Sequence, residues 1–249
     1  DEMIAVWLDA REYNSQSPGD SFGNAVQLRS TTIGKDGTLG KDIPLDLRAC
    51  SCCQTSAAIT EDGTVLIAYR DRTADEIRDI SIVRRHNGVW SRPINVHADG
   101  WEISGCPVNG PAIDAQATDA VVAWFTGADN IATIKVAFSE DSGVTFGPAF
   151  QVDSGESVGR VGTLMLATGD ALISWVEWTS DGEVLMLCRA TKNDGCVARQ
   201  TITEHAASGS FNFPKLARSG DTIYLAWTQP IDSEAGFSTI RMVVLDLSD

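Results

Sequence analysis

Ala120-Val121-Val122-Ala123-Trp124-Phe125 is an apolar run closed by aromatics and followed by a polar turn, and the chain repeats it four more times. The copies are Ile4-Ala5-Val6-Trp7-Leu8-Asp9, Val65-Leu66-Ile67-Ala68-Tyr69-Arg70, Ala171-Leu172-Ile173-Ser174-Trp175-Val176 and Thr222-Ile223-Tyr224-Leu225-Ala226-Trp227. Their anchors Trp7, Tyr69, Trp124, Trp175 and Trp227 stand 62, 55, 51 and 52 residues apart, a period that fits one four-stranded blade plus loops. Strands this apolar on both faces pack between neighbours on either side. The spacing predicts an all-β fold, a β-propeller of four-stranded blades.

The second copy shows the blade most clearly. Thr55 to Thr60 reads as an inner strand, Glu61-Asp62-Gly63 as a tight turn, Val65 to Tyr69 as the second strand, Asp79 to Arg84 as the third and Ile94 to His97 as the edge. Pro93 and Pro148 fall near the starts of edge strands, where a missing amide donor is tolerated. On this template residues 1–249 form a single β-propeller domain, with blades at approximately 1–48, 49–98, 99–153, 154–204 and 205–249. The first and last read as incomplete, because the chain opens on a second strand and its last apolar run, Val243 to Leu247, reads as a third. An open propeller exposes sheet edges and a blade face. The expectation is therefore a six-bladed molecule whose N-terminal blades are absent from this chain, supplied upstream or by another chain.

Composition narrows the functional classes. The formal charge of -15 repels phosphate backbones and argues against nucleic acid. The sequence has no apolar run of about 18 residues, so it reads as not membrane-spanning. Six cysteines in 249 residues point to an oxidising compartment, and Cys188 and Cys196 flank a hairpin at a spacing that suits a disulfide. An exported protein, periplasmic or extracellular, is expected.

Ser139-Glu140-Asp141-Ser142-Gly143-Val144-Thr145-Phe146 lies between strands three and four of the third blade and matches the Asp-box pattern S-x-D-x-G-x-T-[WF]. Partial versions recur at Asp36-Gly37-Thr38-Leu39, Asn87-Gly88-Val89-Trp90 and Asn193-Asp194-Gly195. The Asp and Ser or Thr oxygens serve the hairpin's own amides, so the box reads as structural. With Cys50-Ser51-Cys52-Cys53-Gln54-Thr55, Tyr69-Arg70-Asp71-Arg72, Glu76-Ile77-Arg78-Asp79, Asp99-Gly100-Trp101 and Gly105-Cys106-Pro107-Val108-Asn109-Gly110-Pro111, the whole chain resembles the bacterial sialidase-like (exo-alpha-sialidase family, BNR-repeat) proteins. The resemblance implies a six-bladed propeller in an exported protein. For a sialidase it further implies an arginine cluster for a substrate carboxylate, a Tyr nucleophile paired with Glu, and an Asp acid/base.

Propeller topology puts the unusual phrases on one rim: Asp9 and Arg11, Cys50 to Gln54, Arg70 to Asp79, Asp99 to Asn109, Thr126 to Asp129, Gly159-Arg160, Glu177 to Asp181, Ser210 to Phe213 and Gln229 to Glu234. Candidate catalytic residues are Arg70, Asp71, Arg72, Glu76, Arg78 and Asp79, and candidate substrate-binding residues are Arg11, Trp101, Asn109 and Arg160. An ion-pair lattice holding a loop stands ahead of the catalytic reading, because acids and arginines alternate so closely. Trp101 either stacks on a sugar or plugs the rim, and Asn109 reads first as a turn cap. No rim tyrosine with a Glu partner and no Phe-Arg-Ile-Pro phrase is found.

Cys53 and Cys106 precede equivalent inner strands of adjacent blades, so an interblade disulfide is the first expectation, with Cys50 or Cys52 making a local bridge or staying free. Three pairings of the four are possible. A thiolate metal site for zinc or cuprous ion is the weaker alternative, and no cofactor is expected. His86, His97 and His205 fall at edges or turns and read as solvated. The functional expectation is a rim that recognises a glycan or anionic small ligand, possible glycoside hydrolase chemistry included. The competing reading is a non-enzymatic propeller scaffold or subunit of an envelope assembly with a protein partner.

Overall fold

The computed structural model describes residues 2–13, 25–205, 211–220, 222–232 and 237–245. Five antiparallel sheets follow one another along the chain. The first holds β1 (Glu2–Asp9), β2 (Gln27–Gly34) and β3 (Ile43–Asp46). The second holds β4 (Ser56–Ile59), β5 (Val65–Arg70), β6 (Ile80–His86), β7 (Val89–Trp90) and β8 (Ile94–Asn95). The third holds β9 (Ala112–Gln116), β10 (Asp119–Thr126), β11 (Thr133–Ser139) and β12 (Phe150–Gln151). The fourth holds β13 (Ser157–Met165), β14 (Ala171–Thr179), β15 (Gly182–Thr191) and β16 (Gly195–His205), and the fifth β17 (Lys215–Ser219), β18 (Thr222–Asp232) and β19 (Phe237–Leu245). A single 3-10 turn, Ala128–Asn130, is the one helical element among the described residues.

The alternation of side chains along each repeated strand explains how the sheets assemble. Leu66 and Ala68 of β5 join Val122 and Trp124 of β10 in one buried cluster, while Ile67 and Tyr69 turn the other way to Leu28 and Val6 of the first sheet. Val121 and Ala123 of β10 pack with Ile173 and Trp175 of β14, whose Leu172 and Val176 face Leu225 and Trp227 of β18. Four clusters thus fill the four interfaces between consecutive sheets, and β5, β10 and β14 are apolar over most of their length because both their faces are core. The first strands of sheets two to five also lie side by side, and bonds from the Ile113 amide to Ser56 Oγ (3.1 Å) and from the Met165 amide to Asp114 Oδ2 (2.7 Å) join those of sheets two, three and four. This is a propeller-like, radial arrangement about the line of first strands.

The hairpin Ser139 to Phe146 closes on its own side chains. Asp141 Oδ1 accepts from the Thr145 amide (2.9 Å) and from Ser139 Oγ (2.9 Å), and Ser139 Oγ accepts from the Gly143 amide (2.9 Å). Gly143 has φ +73, and a Cβ there would stand 2.8 Å from Leu66 Cδ2, so only glycine lets the turn meet the neighbouring sheet. Asp36 repeats part of this with a bond from the Thr38 amide (3.0 Å). Edge strands are shorter than the sequence suggests: β8 stops at Asn95 and β12 at Gln151, and single bonds from the Val96 and Val152 amides continue the pairing. Asn87-Gly88, in a partial Asp-box, turns into the short β7, which pairs with the end of β6.

Candidate functional site

The polar ends of the repeated aromatics show how the rim is organised. Trp7 donates to Asp9, Trp124 to Asp99 and Trp175 to Glu177, each at 2.7 Å, and the Tyr69 hydroxyl donates to Asp46. Burying a ring this size requires a partner for its N–H or O–H, and four of the five anchors have an acid in that place. Trp227 Nε1 is buried without a partner among the described residues.

The rim loops are stitched across blades. Asp79, buried, accepts from the Gly100 (2.9 Å) and Trp101 (3.0 Å) amides, and the Arg78 amide donates to the Trp101 carbonyl (2.9 Å). Arg70, 1% exposed, sends Nε to the Asn109 carbonyl (2.8 Å), Nη1 to the Arg78 carbonyl (2.6 Å) and Nη2 to the Phe125 carbonyl (2.6 Å), and it stacks on Trp101 at 4.9 Å. Burial pulls the Arg70 guanidinium down to about 9, which leaves it charged at neutral pH. Glu76 binds Arg72 on one side and Arg78 (2.7 Å) on the other, and these cations hold its carboxyl below the usual range.

These positions change the sequence expectations residue by residue. Arg70, Arg78 and Asp79 are buried and hold loop 70–79 against loop 99–111. Arg11 clasps Asp9 (2.6 Å) and Asp42 (2.7 Å) on the first sheet. Arg160 pairs with the buried Glu183 (3.2 Å) and donates to the Phe211 carbonyl. Asn109 caps the next loop, donating to the Val158 carbonyl and accepting from the Arg160 amide, both at 3.0 Å. Trp101 is 8% exposed and meets Phe125 edge to face at 5.5 Å, so it plugs the rim rather than presenting a face to a sugar. Trp178, by contrast, is 52% exposed at the β14–β15 tip. His97 lies 3.1 Å from Asp99 and His86 2.8 Å from Thr64 Oγ1, both partnered rather than only solvated. Ser210, Glu234 and the His205 side chain lie outside the described residues.

Asp71 stands apart from the rest. It accepts from the Arg72 amide (2.6 Å) and Ser81 Oγ (3.2 Å), and burial, with the nearby Asp46 carboxylate, pushes its carboxyl up to about 6. Asp46 was missed at the sequence level, since it comes from the end of β3 in the preceding sheet and nothing local marks it.

The cysteines pair as Cys50–Cys53, Cys52–Cys106 and Cys188–Cys196, with Cα separations of 5.7, 6.2 and 5.8 Å. The interblade bridge therefore uses Cys52, and Cys53 makes the local one. The expected Cys53–Cys106 pair is corrected because Cys53 is buried beside Cys50, whereas Cys52 faces the outer loop that carries Cys106.

Inside this ring the first strands enclose a cavity of about 190 Å3 lined by Gln54 to Ser56, Pro111 to Asp114, Val161 to Leu164 and Pro214 to Leu216. Gln54 fixes its edge by exchanging two bonds with Gly110 (3.0 and 3.2 Å). Thr163 Oγ1 is buried in the lining with no partner among the described residues, as is Ser174 Oγ on the strand behind it. Burial raises the Asp114 carboxyl above its ordinary value. Asp114 and Thr163 gave no sequence signal, because each sits in a strand that reads as ordinary core.

Radial sheets, a rim of stitched loops and a cavity between the first strands define a propeller-like fold, and comparison with solved structures agrees. The NanB sialidase of Streptococcus pneumoniae, in complex with a substituted ammonioethanesulfonate, superposes with a TM-score of 0.56 at 11% identity, over 89% of this chain and 36% of that one. The xylan β-1,4-xylosidase of Bacillus halodurans C-125 gives 0.50 at 10% identity, over 78% and 39%. The chain thus spans less than two-fifths of either protein, and at this identity the likeness is one of fold. No protein-family profile and no curated protein matches the sequence.

Proposed function

We propose that this chain is an exported propeller unit that recognises a glycan at its axial cavity, with the arginine-rich rim serving as frame. The observation that carries the reading is the cavity between the first strands, whose lining brings the Asp114 carboxyl, raised by burial, together with Gln54 and Ser56. Sugar hydroxyls both donate and accept, and so match a lining of hydroxyl, amide and carboxyl groups. Export is supported by the three disulfides, and no described helix is long and apolar enough to cross a membrane. The fold neighbours include two glycoside hydrolases, which favours a carbohydrate ligand over other hydroxyl-bearing molecules.

Sialidase chemistry is not part of this reading. Among the described residues the candidate rim arginines are engaged within the protein, Arg70 with carbonyls and Arg11, Arg72, Arg78 and Arg160 with carboxylates. The test is a panel of neutral and acidic oligosaccharides assayed for binding, alongside a fluorogenic sialoside assayed for turnover. Binding to at least one glycan without sialoside turnover supports the proposal; no binding anywhere on the panel removes it.

A second reading rests on a different surface. Ile240, Met242 and Val244 lie on one face of β19, 77%, 61% and 56% exposed, where a sheet of this kind expects a neighbour. A further blade, or a partner subunit contributing one, fits that face, and six blades in the closed form accord with the resemblance. Native mass spectrometry of the full-length protein checks this: a closed monomer with the face covered by its own chain supports added blades, and a stoichiometric complex supports a partner.

A further inference from the structure

We propose that the four rim cysteines, when reduced, form one tetrathiolate site for a thiophilic d10 cation, Zn(II) or Cu(I), and that the two bridges seen here are its oxidised state. The two disulfides are not independent staples. Cys50 Sγ lies 3.8 Å from Cys52 Sγ across them, and the sulfurs of Cys50, Cys52 and Cys53 all fall within 4.8 Å of one another, with Cys106 bonded to Cys52. A tetrahedron of sulfurs about 2.3 Å from a central zinc has edges of about 3.8 Å, the separation of Cys50 and Cys52 across the two bridges.

The surroundings favour thiolate. Arg78, 5% exposed, points Nη1 at Cys50 Sγ at 3.6 Å, and a fixed cation beside a sulfur lowers the cost of its negative charge. Access is graded: Cys106 is exposed and Cys52 half-buried, while Cys50 and Cys53 are 0% and 2% exposed. A dithiol reductant therefore meets Cys106 first. Its thiolate attacks Cys106 Sγ, the Cys52–Cys106 bond breaks, and Cys52 leaves as thiolate, poised to attack Cys50 Sγ. That exchange forms Cys50–Cys52 and frees Cys53, while a second dithiol thiolate closes the reductant's own ring and frees Cys106. A second dithiol then reduces Cys50–Cys52. The sum is two disulfides and two dithiols giving four cysteine thiols and two oxidised reductants, and the cation displaces up to four protons on binding.

The test uses the full-length protein, reduced with excess dithiol, exchanged into anaerobic buffer and loaded with Zn(II) or Cu(I) in separate arms against a competing chelator. The expected result is about one retained ion per chain by elemental analysis in at least one arm. It should fall by about tenfold or more in Cys53→Ser and in Cys106→Ser. The Cys188→Ser/Cys196→Ser double variant, remote from the cluster, should retain it. No retained ion in the reduced wild type overturns the proposal, as does equal loss in the remote double variant. Should the cluster variants fail to fold, alkylation of the loaded wild type decides: the ion protects Cys50, Cys52, Cys53 and Cys106 but not Cys188 and Cys196, and uniform labelling of all six overturns the site.

Discussion

At the scale of single residues, the molecule turns on where charges are held. Arg70 was visible in the sequence as an arginine at a strand end, but not as a buried one, because its three acceptors are backbone carbonyls of residues 78, 109 and 125 and carbonyls leave no mark in a sequence. Arg70→Ala strands those acceptors and empties the space under Trp101. The expected loss is about 2–4 kcal/mol of unfolding free energy, read by chemical denaturation. Asp71 supplies a pH dependence. Its folded value of about 6 lies above its ordinary 3.8, so between those limits the folded state keeps a proton that the unfolded chain has lost. Stability from this group is then highest at low pH, falls as pH rises from about 4 to 6 by on the order of 2 kcal/mol, and is level above that. Carboxyls held low, such as Glu76, act with the opposite sign. The contribution of Asp71 is therefore read as the difference between wild type and Asp71→Asn across the window; a difference that does not change with pH would contradict it.

At the scale of elements, the second strand of each blade was the most legible feature, since being core on both faces demands an unbroken apolar run and an anchor ring. The anchors' acids were only half legible: Asp9 and Glu177 follow their tryptophans by two residues, whereas Asp99 and Asp46 arrive from other strands and loops. Edge strands were overextended because pairing there continues by isolated bonds rather than ladders. The turn bonds among Ser139, Asp141, Gly143 and Thr145 were the most legible part of the Ser139 to Phe146 hairpin, since they lie within four residues, whereas its contacts to Asp62, Leu66 and Arg84 leave no local mark. Gly143→Ala is expected to destabilise by about 1–3 kcal/mol through its positive φ and the contact with Leu66, measurable as a shift in denaturation midpoint. The cysteine pairing was not readable, because spacing permits three connectivities and only burial separates Cys52 from Cys53. Cys52–Cys106 closes a separation of 54 residues between two blades, so the Cys52→Ser/Cys106→Ser pair should cost about 2–4 kcal/mol under oxidising conditions.

At the scale of the whole molecule, the radial stacking of sheets brings one end of every first strand to a common axis, and the loops of five segments are sewn into one rim. The sequence placed those loops together through topology alone. It did not locate the cavity, whose lining comes from four first strands each contributing three or four unremarkable residues. The acidic net charge and the paired arginines together predict weak affinity for anionic glycans relative to neutral ones. A panel measured at low and high salt should show little salt dependence for the bound sugar, whereas steep dependence would signal an arginine-based site.

The most direct measurement is a titration of the best-binding oligosaccharide against wild type, Asp114→Asn, Thr163→Val and Arg72→Ala, each checked for folding. Recognition at the axial cavity predicts affinity reduced by about tenfold in the first two variants and unchanged in the third. Loss confined to Arg72→Ala, with Asp114→Asn and Thr163→Val binding as wild type, would contradict it and return the ligand to the rim.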